Sequence, residues 1–368
     1  MTDLLPFQSF ARRLRDTISC ASNQPESLGK NEFRPLALEL FRLQYDHIAP
    51  YRSLCDRRRK TPATVTDWID IPALPTSAFK DLELSSLPIS ERTTVFHSSG
   101  TTEQRPSRHF HSAESLSVYE ASLLPWFQRH VVPESQANLR WIALTPPPTA
   151  CPHSSLIHMF EAVQKAFAPG ETQFYGELST DNTWEIRFSE VFATLEQAIA
   201  SQQPVILLGT AFLFVHLLDE LEERGITYQL PPGSRLMETG GYKGRSRELP
   251  KAELHRLLSQ RLGLPDSAIL CEYGMSELSS QAYDRTCFDA SPRRFQFPPW
   301  VHIVIVSPET GAEVAFGEPG LVRIHDLANI WSIAAVQTED LAIRHEAGFE
   351  LLGRAAKAEP RGCSLMAG

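Results

Sequence analysis

Three groups of residues in this chain have types and spacing suited to handling a nucleotide and an acid. Ser98, Ser99, Gly100, Thr101 and Thr102 follow one another, preceded by Val95-Phe96-His97. Small hydroxyl residues around a glycine let a backbone wrap an anion, with N–H groups and hydroxyls on phosphate oxygens; as a bare string they also read as a plain loop. Glu277 closes Glu272-Tyr273-Gly274-Met275-Ser276-Glu277. Activating a carboxylate with ATP requires a magnesium ion on the phosphates, and magnesium takes carboxylate oxygens. Glu277 suits that role, and equally a helix N-terminus. Asp340, in Thr338-Glu339-Asp340, could accept from both hydroxyls of a ribose, or could be a turn aspartate. Arg354 offers a ribose or phosphate contact, or a solvated charge. Gly240 and Gly241 could let a flat adenine lie on backbone, with Tyr273 offering an aromatic face to its other side; a tight turn and a core tyrosine are the plainer alternatives.

Cys363, in Arg361-Gly362-Cys363-Ser364-Leu365, is a possible nucleophile, because a thiolate forms thioesters with activated acyl groups and Arg361 favours the charged form. It could also be incidental to a tail. Cys271 sits in an apolar run and reads as inert core. His109 and His111 flank Phe110 without a third ligand at metal spacing, so they read as loop histidines in reach of substrate. Neither a Gly-x-Ser-x-Gly elbow nor a Gly-x-Gly-x-x-Gly fingerprint occurs, against a hydrolase and a dinucleotide fold.

Alternating strands and helices must position these groups. Apolar periodicity predicts helices over residues 7–18, 34–48, 156–167, 211–224 and 250–262, and buried strands over 141–144, 205–208 and 268–271. The segment 272–277 therefore follows a strand directly, where α/β sheets gather ligands. Residues 301–306, 321–324 and 349–352 predict short strands of a smaller antiparallel unit. The expected organisation is a helical part over 1–90, an α/β body binding ATP and acyl group over 91–300, a small β unit over 301–354 and a flexible tail over 355–368.

The chain has 368 residues, 42% hydrophobic, with a net charge of −9. That size supports a large core, and the acidic balance argues against general nucleic-acid binding. The run Arg57-Arg58-Arg59-Lys60 reads as a solvated helix end. No apolar stretch reaches a membrane span and the N-terminus does not resemble a secretory signal. Six cysteines without a C-x-x-C pair suit a reducing compartment, so a cytoplasmic location is expected.

Taken together, these strings, with Gly240-Gly241-Tyr242-Lys243-Gly244-Arg245 and Asp326-Leu327-Ala328-Asn329, resemble the adenylate-forming superfamily and, within it, the acyl-protein synthetase branch (LuxE-type). The resemblance runs from residue 94 to the end. It implies an α/β adenylate-forming large-domain fold, with sheets flanked by helices plus a small β-rich unit, and without the separate C-terminal domain that carries a catalytic lysine in larger relatives. It implies ATP and Mg2+ as cofactors, a fatty acid converted to acyl-AMP, transfer of the acyl group to Cys363, and an NADPH-dependent reductase as partner. Carried onto this chain, Ser98 to Thr102 would cradle phosphates, Glu277 would hold magnesium, Gly240, Gly241 and Tyr273 would frame adenine, and Asp340 with Arg354 would hold ribose. Two departures stand out. Glu103-Gln104-Arg105-Pro106 follows the hydroxyl loop where many relatives place glycine and lysine, so Arg105 or Arg108 would compensate. Lys243 or Arg245 would supply the charge of the absent lysine. The competing expectations are an acyl- or aryl-CoA ligase of the phenylacetate type, which would not need Cys363, and a non-catalytic acyl- or nucleotide-binding subunit of a reductase complex.

Overall fold

The computed structural model describes residues 4–98, 105–134, 138–168, 173–241 and 246–355. Three helices come first, α1 (Leu5–Asn23), α2 (Lys30–His47) and α3 (Ala49–Arg57), then a two-residue strand β1 (Leu74–Pro75), one helical turn α4 (Ala78–Asp81) and the hairpin β2 (Thr94–His97) and β3 (Arg108–His111). The middle alternates: α5 (Ala113–Val131), β4 (Arg140–Ala143), α6 (Ser155–Phe167), the ribbon β5 (Gly176–Leu178) and β6 (Trp184–Ile186), α7 (Phe188–Ala200), β7 (Val205–Thr210), α8 (Ala211–Glu223), β8 (Arg235–Thr239), α9 (Lys251–Leu262) and β9 (Ile269–Tyr273). Five more strands close the described chain: β10 (Ala282–Tyr283), β11 (Val301–Val306), β12 (Pro319–Asp326), β13 (Ala335–His345) and β14 (Gly348–Arg354).

Two five-stranded sheets organise these elements. The central one runs β10-β9-β8-β7-β4, its β4, β7, β8 and β9 parallel and β10 an antiparallel edge. Every residue of β7 and β8 is buried, as expected where helices cover both faces. On one face Leu207, Leu236 and Ile269 pack with Leu217, Leu254 and Leu258 of α8 and α9; on the other, Ile206, Met237 and Leu270 pack with Phe127 and Phe160 of α5 and α6. The helices expected over 156–167, 211–224 and 250–262 form within a residue of those bounds.

The second sheet is β1-β13-β12-β11, with β14 on β13. Leu74 and Pro75 add to it in parallel beside Val336 and Gln337. Its core is shared with the N-terminal helices: Phe7, Phe10, Phe33 and Leu40 belong to one apolar cluster with Trp300, Val304, Ile324 and Val336. Residues 4–90 and 300–354, far apart in sequence, thus bury their apolar faces against each other. Among the described residues, no helix is long and apolar enough to cross a membrane.

Candidate functional site

The site lies beyond the carboxyl ends of β8 and β9. These strands pair with Glu238 opposite Cys271 and Thr239 opposite Glu272, so their next residues, Gly240-Gly241 and Gly274, leave the sheet side by side. Gly240 has φ 73°, a left-handed conformation that a side chain would strain. Among the described residues, a Cβ on either Gly240 or Gly241 would meet no atom within 4 Å. No described residue covers the backbone there, which leaves a face that a planar group could approach.

Tyr273 ends β9 and reaches the second sheet. Its hydroxyl donates to Asp340 Oδ2 at 2.8 Å, and its ring meets Phe295, Phe297 and Phe349 edge-on, with centroids 5.9–6.1 Å away. Burial, and then the Asp340 carboxylate, push the phenol well above its ordinary pKa, so it remains a neutral donor. Asp340 stands opposite Arg354 in the β13–β14 register. Arg354 Nε lies 3.6 Å from Asp340 Oδ1, its side chain 81% exposed. Tyr273, Asp340 and Arg354 therefore form one contact chain across the two sheets. Among the described residues each carboxylate oxygen of Asp340 has one such neighbour, which leaves a second lone pair to offer.

Glu277 follows in the loop after β9 and is buried. Its Oε2 accepts from Ser276 Oγ at 3.2 Å. The backbone around it is held from two sides. The Ser276 carbonyl lies 2.8 Å from His109 Nδ1 on β3; a carbonyl only accepts, so that nitrogen carries the proton. The Glu277 carbonyl accepts from Asn329 Nδ2 at 2.8 Å. Asp326 takes the Ser279 N–H at 3.0 Å and the Ser280 hydroxyl at 2.8 Å, and Ser279 Oγ donates to Asn329 Oδ1 at 2.7 Å. Burial raises the Asp326 carboxyl to about 6, against the lowering effect of these donors.

Ser98 marks the entry to the hydroxyl loop. Its Oγ accepts from the Ser107 N–H at 3.0 Å, while His97 Nδ1 donates to the Ser107 carbonyl at 3.1 Å. The neck of the loop is thereby closed at the turn end of the β2–β3 hairpin. Ser99, Gly100, Thr101, Thr102, Lys243, Arg245 and Cys363 lie outside the described residues. His109 and His111 are strand residues of β3 rather than loop histidines. Both face inward, with ring centroids 4.2 Å apart, and burial holds them neutral, lowering His109 to about 4 and His111 well below the ordinary imidazole value. Among the described residues, no three His, Cys, Asp or Glu side chains gather as a metal site.

Residues 19–367 match the family described as acyl-protein synthetase, LuxE. The chain belongs to this family. It is an ATP-dependent ligase. This member is 24% identical over 344 residues to the long-chain-fatty-acid–luciferin-component ligase of Aliivibrio fischeri, covering 90% of this chain and 86% of that protein. It is 23% identical over 336 residues to the protein of the same name from Vibrio harveyi, covering 88% and 84%. Among solved structures it is similar in fold to a 2-hydroxyisobutyryl-CoA ligase in complex with 2-HIB-AMP and CoA, with TM-score 0.66 and 12% identity over 88% of this chain and 69% of that one. It is also similar to ATP-bound MatB from Rhodopseudomonas palustris, with TM-score 0.51 and 17% identity, covering 73% of this chain and 49% of that one. The chain thus spans about half of MatB's length. The expected adenylate-forming fold is the fold observed.

Two features of this LuxE-family chain are missing from the sequence reading. Glu272 is buried, accepts from the Thr239 hydroxyl, and fills the space that a Cβ on Gly274 would need. Burial raises its carboxyl to about 7, against the lowering effect of Thr239. On the opposite face of the same strands, Cys271 and Glu238 meet α9. Lys251 Nζ lies 2.6 Å from Cys271 Sγ and 3.1 Å from Glu238 Oε1, and His255 Nε2 lies 3.2 Å from the same carboxylate oxygen. Cys271 is core, as expected, but carries a lysine partner. The signal for this cluster was the i, i+4 spacing of Lys251 and His255 on a helix facing a strand glutamate.

Proposed function

We propose that this chain activates a fatty acid with ATP and then carries the acyl group on its own cysteine. In the first step a carboxylate oxygen attacks the α-phosphorus, the new C(O)–O–P bond forms, and pyrophosphate leaves. In the second the Cys363 thiolate attacks the acyl carbonyl carbon, the S–C bond forms, the C–O bond to phosphate breaks, and AMP leaves. An NADPH-dependent reductase is the proposed recipient. The observation that carries the reading is the contact of Tyr273 with Asp340 beside the open backbone of Gly240 and Gly241. An aromatic ring, a carboxylate for vicinal hydroxyls and an uncovered glycine pair suit a nucleoside. The names of the two curated relatives, both long-chain-fatty-acid ligases, support the acid.

The roles follow the resemblance. Ser98, Ser99, Gly100, Thr101 and Thr102 hold phosphate oxygens. Asp340 and Arg354 hold ribose, and Lys243 or Arg245 supplies positive charge at the reacting phosphate. Glu277 holds Mg2+, which fits a buried carboxylate whose side-chain hydrogen bond among the described residues is to Ser276 Oγ. When bound, the ion neutralises triphosphate charge.

The test is intact-protein mass after incubation with ATP, Mg2+ and a panel of saturated fatty acids. A hydroxylamine-sensitive acyl adduct mapping to Cys363 is expected, and Cys363→Ser should lose the adduct while still releasing pyrophosphate. AMP formation that needs coenzyme A, with no adduct, would replace this reading with a CoA ligase.

A further inference from the structure

We infer that His109 and Asn329 are positioning residues for Glu277, an inference that rests on reading Glu277 as the metal-holding carboxylate. The peptide units on either side of this residue are each tied down by their oxygen. His109 Nδ1 donates to the Ser276 carbonyl and Asn329 Nδ2 to the Glu277 carbonyl, both at 2.8 Å and both from buried side chains. A peptide unit is planar, so fixing two consecutive carbonyls fixes the φ and ψ of the residue between them. Glu277 is left with only its side-chain torsions to set where its carboxylate stands.

The two anchors come from different parts of the molecule. His109 lies on β3, the strand that leaves the hydroxyl loop through the Ser98–Ser107 neck. Asn329 lies in the turn between β12 and β13, and that turn is fixed in its own right. Asp326 Oδ1 accepts from the Ala328 N–H at 2.9 Å, and Asn329 Nδ2 donates also to the Ile333 carbonyl at 3.0 Å. The strand that leaves the hydroxyl loop and a turn of the second sheet thus hold one loop at two consecutive carbonyls. Neither anchor depends on pH near neutrality: the carboxamide does not titrate, and burial keeps the His109 imidazole neutral. Preorganisation of this kind spares a binding site the cost of ordering its ligand residue at the moment of binding.

Calorimetric binding of Mn2+·ATP, compared with binding of ATP in EDTA, tests the inference on the full chain. Loss of fold moves both affinities, whereas loss of positioning moves only the metal-bound one. His109→Ala and Asn329→Asp are each expected to weaken Mn2+·ATP about tenfold and to leave metal-free ATP within twofold. His109→Asn, whose Nδ2 can stand where the imidazole Nδ1 stood, should restore most of the loss. Because both residues act through Glu277, neither substitution should cost anything further in a Glu277→Gln background, whereas independent effects would add. Should Asn329→Asp fail to fold, Asn329→Ser, which removes the donor without placing a charge there, gives the same reading. Wild-type Mn2+·ATP affinity in the anchor variants, with a loss in Glu277→Gln alone, overturns the inference and leaves the metal reading standing. Wild-type affinity in Glu277→Gln overturns both.

Discussion

At the scale of single residues, the site is a set of polar groups held in place by their neighbours. Tyr273 illustrates this. Its hydroxyl is a donor held on Asp340, and its ring is walled by three phenylalanines. The Asp340 carboxylate is the group that would accept the ribose hydroxyls. Asp340→Ala should therefore raise KM for ATP more than tenfold with a smaller change in kcat, since it removes ground-state binding. Tyr273→Phe keeps the ring and loses only the donor. It should raise KM for ATP a few-fold and leave the fatty-acid KM unchanged. Steady-state pyrophosphate release with ATP and acid varied separately checks both. Equal changes in the two KM values would show that the residues serve the fold rather than the nucleotide.

At the scale of elements, adjacent strands β8 and β9 carry a carboxylate on each face. Glu238, beneath α9, tends upward through burial but is held well below the carboxylate range by Lys251 and His255. Glu272, on the other face, has the Thr239 hydroxyl to offset its burial and rises to about 7. The folded chain therefore keeps a proton on Glu272 that the unfolded chain releases near pH 4.5. Between about pH 4.5 and 7 the native state binds more protons than the unfolded state, so stability falls as pH rises through this window and levels off above it. For a shift of this size the change is on the order of 3 kcal/mol. Asp326, raised to about 6 by burial, adds a contribution of the same sign. Glu272→Gln should flatten the Glu272 part, making the variant more stable than the parent at pH 8 and no more stable at pH 4.5. Urea denaturation at several pH values checks it; an unchanged slope would mean that Glu272 titrates normally.

How far the sequence reveals this varies with the kind of interaction. The strands at 205–208 and 268–271 were legible because a continuous apolar run before a Gly- or Tyr-containing turn suits a strand covered on both faces. Helices α6, α8 and α9 were legible from one apolar stripe each. Helix α5 was not, because Pro125 lies inside it and Ser115, Ser122 and His130 are buried among its apolar residues. Glu277 and Asp340 were singled out as candidates by the strings around them. His109 and Asn329 were also named, but their hold on the backbone of Glu277 was not legible, since a buried polar residue is written like an exposed one until its distant partner is known.

At the scale of the whole molecule, the same kind of support extends to the N-terminal helices. Gln44 of α2 is buried and saturates the turn that carries Asn329. Its Nε2 donates to the carbonyls of Asn329 at 2.7 Å and Ile330 at 3.2 Å, and its Oε1 accepts from the Ala334 N–H at 3.1 Å. One side chain thus satisfies three backbone groups, two in buried bonds and one part-buried, 285 to 290 residues further along the chain. Gln44→Leu keeps the volume roughly and abandons all three. An unsatisfied buried polar group costs about 1–3 kcal/mol, and partial relaxation of the turn should hold the total to about 3–5 kcal/mol. The loss should appear as a lower urea midpoint with an unchanged m-value. Because the loosened turn also carries the Asn329 anchor, Mn2+·ATP affinity should fall several-fold at temperatures where the variant is still folded. A purely local role for Gln44 would lower stability alone. Loss of both would show that the first helices and the loop bearing Glu277 belong to one mechanical unit, joined through the sheet they pack against.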